Sequence, residues 1–172
     1  MPENTISRRT LAKTAAWSVP VVAVAIAAPM AAASNQVATD IAVSRSCPDL
    51  TVLGSVPQFT ITSSTGVIPA GTTFTLQGDQ LANVALEGTN ATVLVVSDTI
   101  RSIVIPNDVP SATVSFTGFL GIFALSRFAL SLASLPAGYT ESNGSNDSAF
   151  LDLTGLAAPL GLGYVGLCDV VG

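Results

Sequence analysis

Past Ser34 the apolar residues of this chain come in short runs. Many of the runs alternate with Thr, Ser or Gln, and Gly, Pro, Asn or Asp breaks them every few positions. A period of two buries one face of a strand, whereas an amphipathic helix needs apolar residues three and four apart. TDIAVSR sets Ile41 and Val43 between polar neighbours, and PQFTITSS puts Phe59 and Ile61 on one face with Thr60 and Thr62 on the other. After a turn around Gly66 to Gly71, TTFTLQG directs Phe74 and Leu76 inward, and SATVSFTG does the same with Val114 and Phe116. ATVLVVS and IRSIVIP are denser in β-branched residues and read as central strands, while AFLDLTG and GYVGLC supply the closing ones. GFLGIFALSRFALSLASLP, residues 118–136, fits both periods. Leu125, Phe128, Ala129 and Leu132 have helical spacing, and Phe128, Leu130 and Leu132 alternate. Gly118 and Gly121 disfavour a helix across its front half, so a strand is favoured for Arg127 to Ala133. Eight or nine short strands and no convincing helix predict an all-β domain over residues 34–172, its two sheets packed face to face as a β-sandwich. No repeat or internal linker divides it.

The chain has 172 residues, of which 49% are hydrophobic and only 10% charged. Low charge here does not mean disorder, because Val, Ile, Thr and Phe are plentiful enough to build a core. Beyond Lys13 the only cations are Arg45, Arg101 and Arg127, facing ten carboxylates. A body with seven net negative charges repels phosphate backbones and anionic lipid heads, which argues against nucleic acid and polybasic membrane docking.

Half of the six cations stand in SRRTLAK, Ser7 to Lys13, directly ahead of TAAWSVPVVAVAIAAPMAAAS. A basic start, an apolar centre and small residues spaced A-x-A describe a cleavable export signal, with Ala31 and Ala33 preceding a cut before Ser34. SRRTLAK resembles the twin-arginine (Tat) signal S/T-R-R-x-F-L-K. Ser7, Arg8, Arg9 and Lys13 match, Leu11 stands in for Phe, and Ala12 departs from the usual Leu. The resemblance implies residues 1–33 as a signal helix handled by the Tat translocase and a signal peptidase. It also implies a secreted or cell-envelope destination and no stable membrane anchor after cleavage. A retained anchor is the alternative, since Thr14 to Ala33 is about long enough to span a bilayer. Pro20 and Pro29 interrupt that stretch, and its residues are mostly weakly apolar.

The exported part holds two cysteines, Cys47 and Cys168, 121 positions apart. An even count in an oxidising compartment favours a disulfide over metal or redox chemistry, with two buried free thiols as the alternative. In the chain-entropy model so long a loop stabilises by about 4–5 kcal/mol.

IPAGTTFTL, Ile68 to Leu76, and LPAGYT, Leu135 to Thr140, resemble the P-A-G corner of immunoglobulin-like bacterial surface domains. There the proline opens a turn and the glycine adopts positive φ before the next strand. A Tat-like leader ahead of an Ala/Thr/Val-rich β domain also resembles secreted proteins of high-GC Gram-positive bacteria. Members of that group are mostly surface or envelope proteins. The resemblance implies an immunoglobulin-like sandwich and carries over no catalytic residue.

With no histidine anywhere and no lysine past Lys13, the exported part cannot assemble a Ser-His-Asp triad, a Cys-His pair, a histidine-ligated zinc site or a Schiff base. Neither a phosphate-binding G-x-x-x-x-G-K-[ST] loop nor a G-x-S-x-G elbow occurs. Carboxylates are the remaining acid–base candidates. Glu87, Asp98, Asp108, Glu141, Asp147 and Asp152 stand mostly in turn-like contexts. In TESNGSNDSAFLD, Glu141, Asn143, Asn146, Asp147 and Asp152 offer oxygen ligands that Ca²⁺ could use, but the EF-hand order is absent and a hairpin loop is the simpler reading. Phe119, Phe123 and Phe128 are expected in the core, with an exposed aromatic patch for a glycan or partner as the alternative. The expectation is therefore a non-enzymatic protein with no cofactor or metal, acting by binding or structure on an envelope or protein partner. A small carbohydrate-active enzyme or binding module is the second reading, weakened because the single tryptophan, Trp17, leaves with the leader. A subunit of a surface assembly that pairs through strand edges is the third.

Overall fold

The computed structural model describes residues 36–47, 56–120, 123–156 and 165–169. The first strands are β1 (Val37–Thr39), β2 (Ile41–Ser46), β3 (Gln58–Ser63), β4 (Thr73–Gly78), β5 (Val84–Thr89) and β6 (Thr92–Val95). They are followed by β7 (Ile100–Val104), β8 (Ser111–Phe119), β9 (Phe123–Ser134), β10 (Tyr139–Glu141), β11 (Ser148–Leu156) and β12 (Val165–Asp169). The described residues form twelve strands, against the eight or nine expected. Several are three or four residues long, and VALEGT of β5 was not anticipated because Glu87 and Gly88 interrupt its alternation. The only helical element among the described residues is a single 3-10 turn at Leu81–Asn83, and no helix there is long and apolar enough to cross a membrane.

The strands form a six-stranded sheet ordered β12-β11-β9-β4-β7-β6, a four-stranded sheet ordered β2-β3-β8-β5, and a two-stranded ribbon β1-β10. Every ladder of the two larger sheets is antiparallel. The chain passes repeatedly from one large sheet to the other, so most neighbours are distant in sequence: β4 pairs with β9, β3 with β8 and β9 with β11. By compactness the chain divides into Met1–Val37 and Ala38–Gly172, and apart from the first residue of β1 the sheets belong to the second unit.

Alternation placed the core. Ile41, Phe59, Ile61, Phe74, Leu76, Ile103, Val114, Phe116, Phe128, Leu130, Leu151 and Leu153 are buried in one cluster drawn from both large sheets. Phe116 of β8 meets Phe128 of β9 edge to face, with centroids 5.2 Å apart, and packs against Phe59 at 5.9 Å. Arrangements of this kind add to the burial of the rings themselves. The ambiguous stretch is strand throughout Phe123–Ser134, because Phe128 and Leu130 face the core while Leu125 is exposed. Phe119 and Phe128 are core, as expected. The side chain of Phe123 lies outside the described residues.

Both P-A-G corners have the conformation that glycine permits. Gly71 has φ +86° and Gly138 φ +91°, and in each case the following amide returns to the proline carbonyl, Thr72 N to Pro69 O and Tyr139 N to Pro136 O, both at 3.2 Å. A positive φ at the third residue of such a turn strains any side chain with a Cβ. Asp108 steadies the first corner by accepting the Ala70 amide at 2.7 Å.

One expectation is overturned. β6 is not a central strand but the last strand of its sheet, paired only to β7. β-branched density reports strand formation, and sheet order is decided by partners that local sequence does not contain.

Candidate functional site

The densest polar arrangement of the described residues lies where β2 meets β11, along one side of the two sheets. In β2, Ile41, Val43 and Arg45 share the face that is paired with the core residues Ile61 and Phe59. Arg45 comes after the last apolar member of that face, and its guanidinium turns out to β11. There Nη1 donates to the Phe150 carbonyl at 2.9 Å, and Cζ stands 4.6 Å from the Phe150 ring centroid.

On the six-stranded sheet, Leu151 and Leu153 face the core, so Phe150 and Asp152 face the other way. The register sets Asp152 opposite Arg127 and Phe150 opposite Ala129. Arg127 therefore lies beside Asp152 on the outer face, and its Nε and Nη2 donate to Oδ1 and Oδ2, each at 2.8 Å. The same guanidinium stacks on Phe150, with Cζ 4.2 Å from the ring centroid. One aromatic ring thus carries two guanidinium groups, one from each large sheet. The arginine side chain is 62% exposed and the aspartate 9%. The hydrogen bond from Arg127 holds the Asp152 carboxyl below the usual carboxylate range against the opposing effect of desolvation, and the charges of Arg127 and Arg45 add to the lowering. The same hydrogen bond raises Arg127. A planar fork on a carboxylate is among the stronger charge-assisted contacts.

Glu141 extends this seam. Its two oxygens accept the Ile41 amide at 3.3 and 3.1 Å, and Oε1 also accepts the amides of Ser142 at 3.0 Å and Asn143 at 3.1 Å. Val43 N donates to Asn146 O at 2.8 Å. Alternate amides on the outer edge of β2 are therefore satisfied by Glu141 at the end of β10 and by the loop before β11. Arg101, the third cation of this body, lies elsewhere and is buried. Its Nη2 donates to Leu81 O at 2.9 Å and its Nη1 to the carbonyls of Ser97 and Ile100, tying the 3-10 turn to β7.

Among the six carboxylates singled out, Glu87, Glu141 and Asp152 stand in strands rather than turns. Asp98 and Asp108 are in exposed turns, the latter on the P-A-G corner. Of the calcium-ligand candidates, Glu141 and Asp152 are engaged as described, and Asn143 Oδ1 accepts Ser145 Oγ at 2.7 Å. Asn146 Oδ1, and outside that set Asp40 Oδ1, are buried oxygens that no donor reaches. Among the described residues no three His, Cys, Asp or Glu side chains gather in a way that could hold a metal.

The expected export residues Ser7, Arg8, Arg9, Leu11, Lys13, Ala31, Ala33 and Ser34 lie outside the described residues. Cys47 follows β2 directly and packs half-buried against the core. The backbone of Cys168 lies in β12 opposite Leu153, and its side chain is outside the described residues. Sequence reasoning missed the arrangement of Arg45, Phe150, Arg127 and Asp152. The parity of Ile41, Val43 and Arg45 was a usable signal, but nothing local announces that Arg127 faces a carboxylate 25 positions away. No family model, curated protein or solved structure matches this chain.

Proposed function

We propose that the chain is a non-enzymatic, secreted or envelope-associated protein with a binding or structural role, exported by the Tat pathway and built as an immunoglobulin-like β-sandwich. The observation that carries this reading is how its ionisable side chains are employed. Arg45, Arg101, Arg127, Asp108, Glu141 and Asp152 each hydrogen-bond to the fold itself, where acid–base chemistry would need such groups facing a substrate. The absence of histidine from the sequence points the same way. A single apolar cluster between sheets of four and six strands, with positive φ at both P-A-G glycines, supports the sandwich.

A Cys47–Cys168 disulfide belongs to the same proposal. Cys47 is at the end of β2 and Cys168 is on the strand next to β11, so both attach to the two sides of one seam.

Two measurements test the reading. Replacing Arg8 and Arg9 with lysine is expected to leave uncleaved precursor inside the cell, and unchanged export of that variant removes the Tat pathway. The purified exported chain is expected to leave polysaccharides and peptides intact, and sustained turnover of either ends the non-enzymatic reading.

A further inference from the structure

The edges at β2, β5 and β6 differ in how they avoid pairing with another chain, since a bare edge invites a further strand. The β2 edge is covered by Glu141, Asn146 and Arg45 reaching across the seam. The β5 edge carries the exposed charge of Glu87 and an irregularity between Ala85 and Leu86. β6 has none of these devices. It contains no charge, proline or bulge over Thr92–Val95, and Leu94, Val95 and Val96 are 48%, 76% and 62% exposed. Val95 shares the face of Val93, which packs against the core, yet it is the most exposed of the three. Among the described residues, this apolar, uncharged strand is thus bare on its outer edge and, toward Val96, exposed on both faces.

We propose that β6 pairs antiparallel with β6 of a second copy of this chain about a two-fold axis, joining two six-stranded sheets into one. This goes beyond the proposed function by naming a partner surface. Charge selects the occupant. Away from β6 the body is acidic, with three arginines against ten carboxylates past Lys13, so most contacts between copies are opposed by repulsion. β6 brings no charge from either side, and it offers a basic partner no acid to recognise. Charge also selects the direction. Parallel pairing would set Asp98 beside Asp98 of the partner. An antiparallel pair centred between Val93 and Leu94 separates these carboxylates by roughly 30 Å at about 3.3 Å per residue, well beyond a screening length of about 8 Å. Antiparallel pairing of one strand with its own copy is self-complementary, as a two-fold interface requires.

The area sets the strength. The exposed parts of Leu94, Val95 and Val96 come to roughly 300 Å² per copy, so the interface lies well below the roughly 1,200 Å² of a stable complex. Association is therefore expected to be reversible, with a Kd of roughly 10–100 µM.

The test is sedimentation velocity of the exported chain from roughly 2 to 500 µM, a range that brackets this Kd, alongside Val95→Lys and Leu94→Lys. Both sites are exposed, so thermal melts of the variants should match the parent. The parent should move from monomer to dimer as concentration rises, and both variants should stay monomeric throughout. A parent that remains monomeric at the highest concentration overturns the proposal, as does a dimer that both lysines leave intact. Either result leaves the non-enzymatic reading standing, whereas turnover by the chain would end that reading without touching this one.

Discussion

Replacing Gly88 with alanine tests the corner where the chain leaves the four-stranded sheet at β5 and enters the six-stranded sheet at β6. A Cβ on Gly88 would lie 2.2 Å from the Ala91 carbonyl oxygen and 2.9 Å from its carbon. Both are backbone atoms, so no side-chain rotation relieves the clash, and the carbonyl must retreat by roughly an ångström to reach van der Waals separation. The turn resists that movement. Asn90 already has φ +57°, its Nδ2 donates to Ser111 O at 2.9 Å, and Ala91 packs against the core. Overpacking a tight site costs about 1–3 kcal/mol, and a clash between two backbone segments belongs at the upper end, about 3 kcal/mol. For a domain of this size that lowers the melting temperature by roughly 10 °C and the urea midpoint by about 1–2 M. Thermal and urea unfolding followed by circular dichroism measure both. Gly144→Ala is the control, because its added Cβ meets nothing nearer than Asp147 Oδ2 at 3.6 Å. A Gly88→Ala variant melting within about 2 °C of the parent would refute the reasoning, since it would mean that the corner yields freely.

Two further outcomes are expected. Asp152→Asn should lower the melting temperature at neutral pH. The Asp152 carboxyl is held below its ordinary value mainly by its hydrogen bond from Arg127. Its contribution is therefore present above the unfolded carboxyl pKa of about 4 and is lost as pH falls through the lower folded value. The gap between parent and variant should close in acid, and a gap that widens there contradicts the assignment. Reducing the proposed Cys47–Cys168 link should cost about 3–5 kcal/mol. Unfolding with and without reductant checks this, and two alkylatable thiols in the untreated exported chain would rule the link out.

The parts of the fold that were legible in the sequence are those where neighbours two positions apart share a fate. Phe59 with Ile61, Phe74 with Leu76 and Val114 with Phe116 were all placed on the correct face by alternation alone. The P-A-G glycines were legible because a turn requires a φ that few other residues adopt. What could not be read depends on which strands lie beside each other. ATVLVVS has the composition of an interior strand, and only the sheet order shows that its far side is bare. Asp152 reads in the sequence as a turn-like carboxylate or a Ca²⁺ ligand, because its partner is fixed by the β9–β11 register. The doubt over residues 118–136 was real, since Leu125 and Phe128 have helical spacing. It is resolved by long-range pairing of β9 with β4 and β11.

The Arg45–Phe150 bond joins residues 105 positions apart. During synthesis β2 waits, with its outer amides in water, until Glu141, Asn146 and Phe150 have left the ribosome. The loop-closure entropy must be met before any contact across that gap is gained. β2 and β3 are near each other in sequence and can pair before this flank closes. The newly made chain is for that interval open along one side, and this is when proteases and stray strands have access to it.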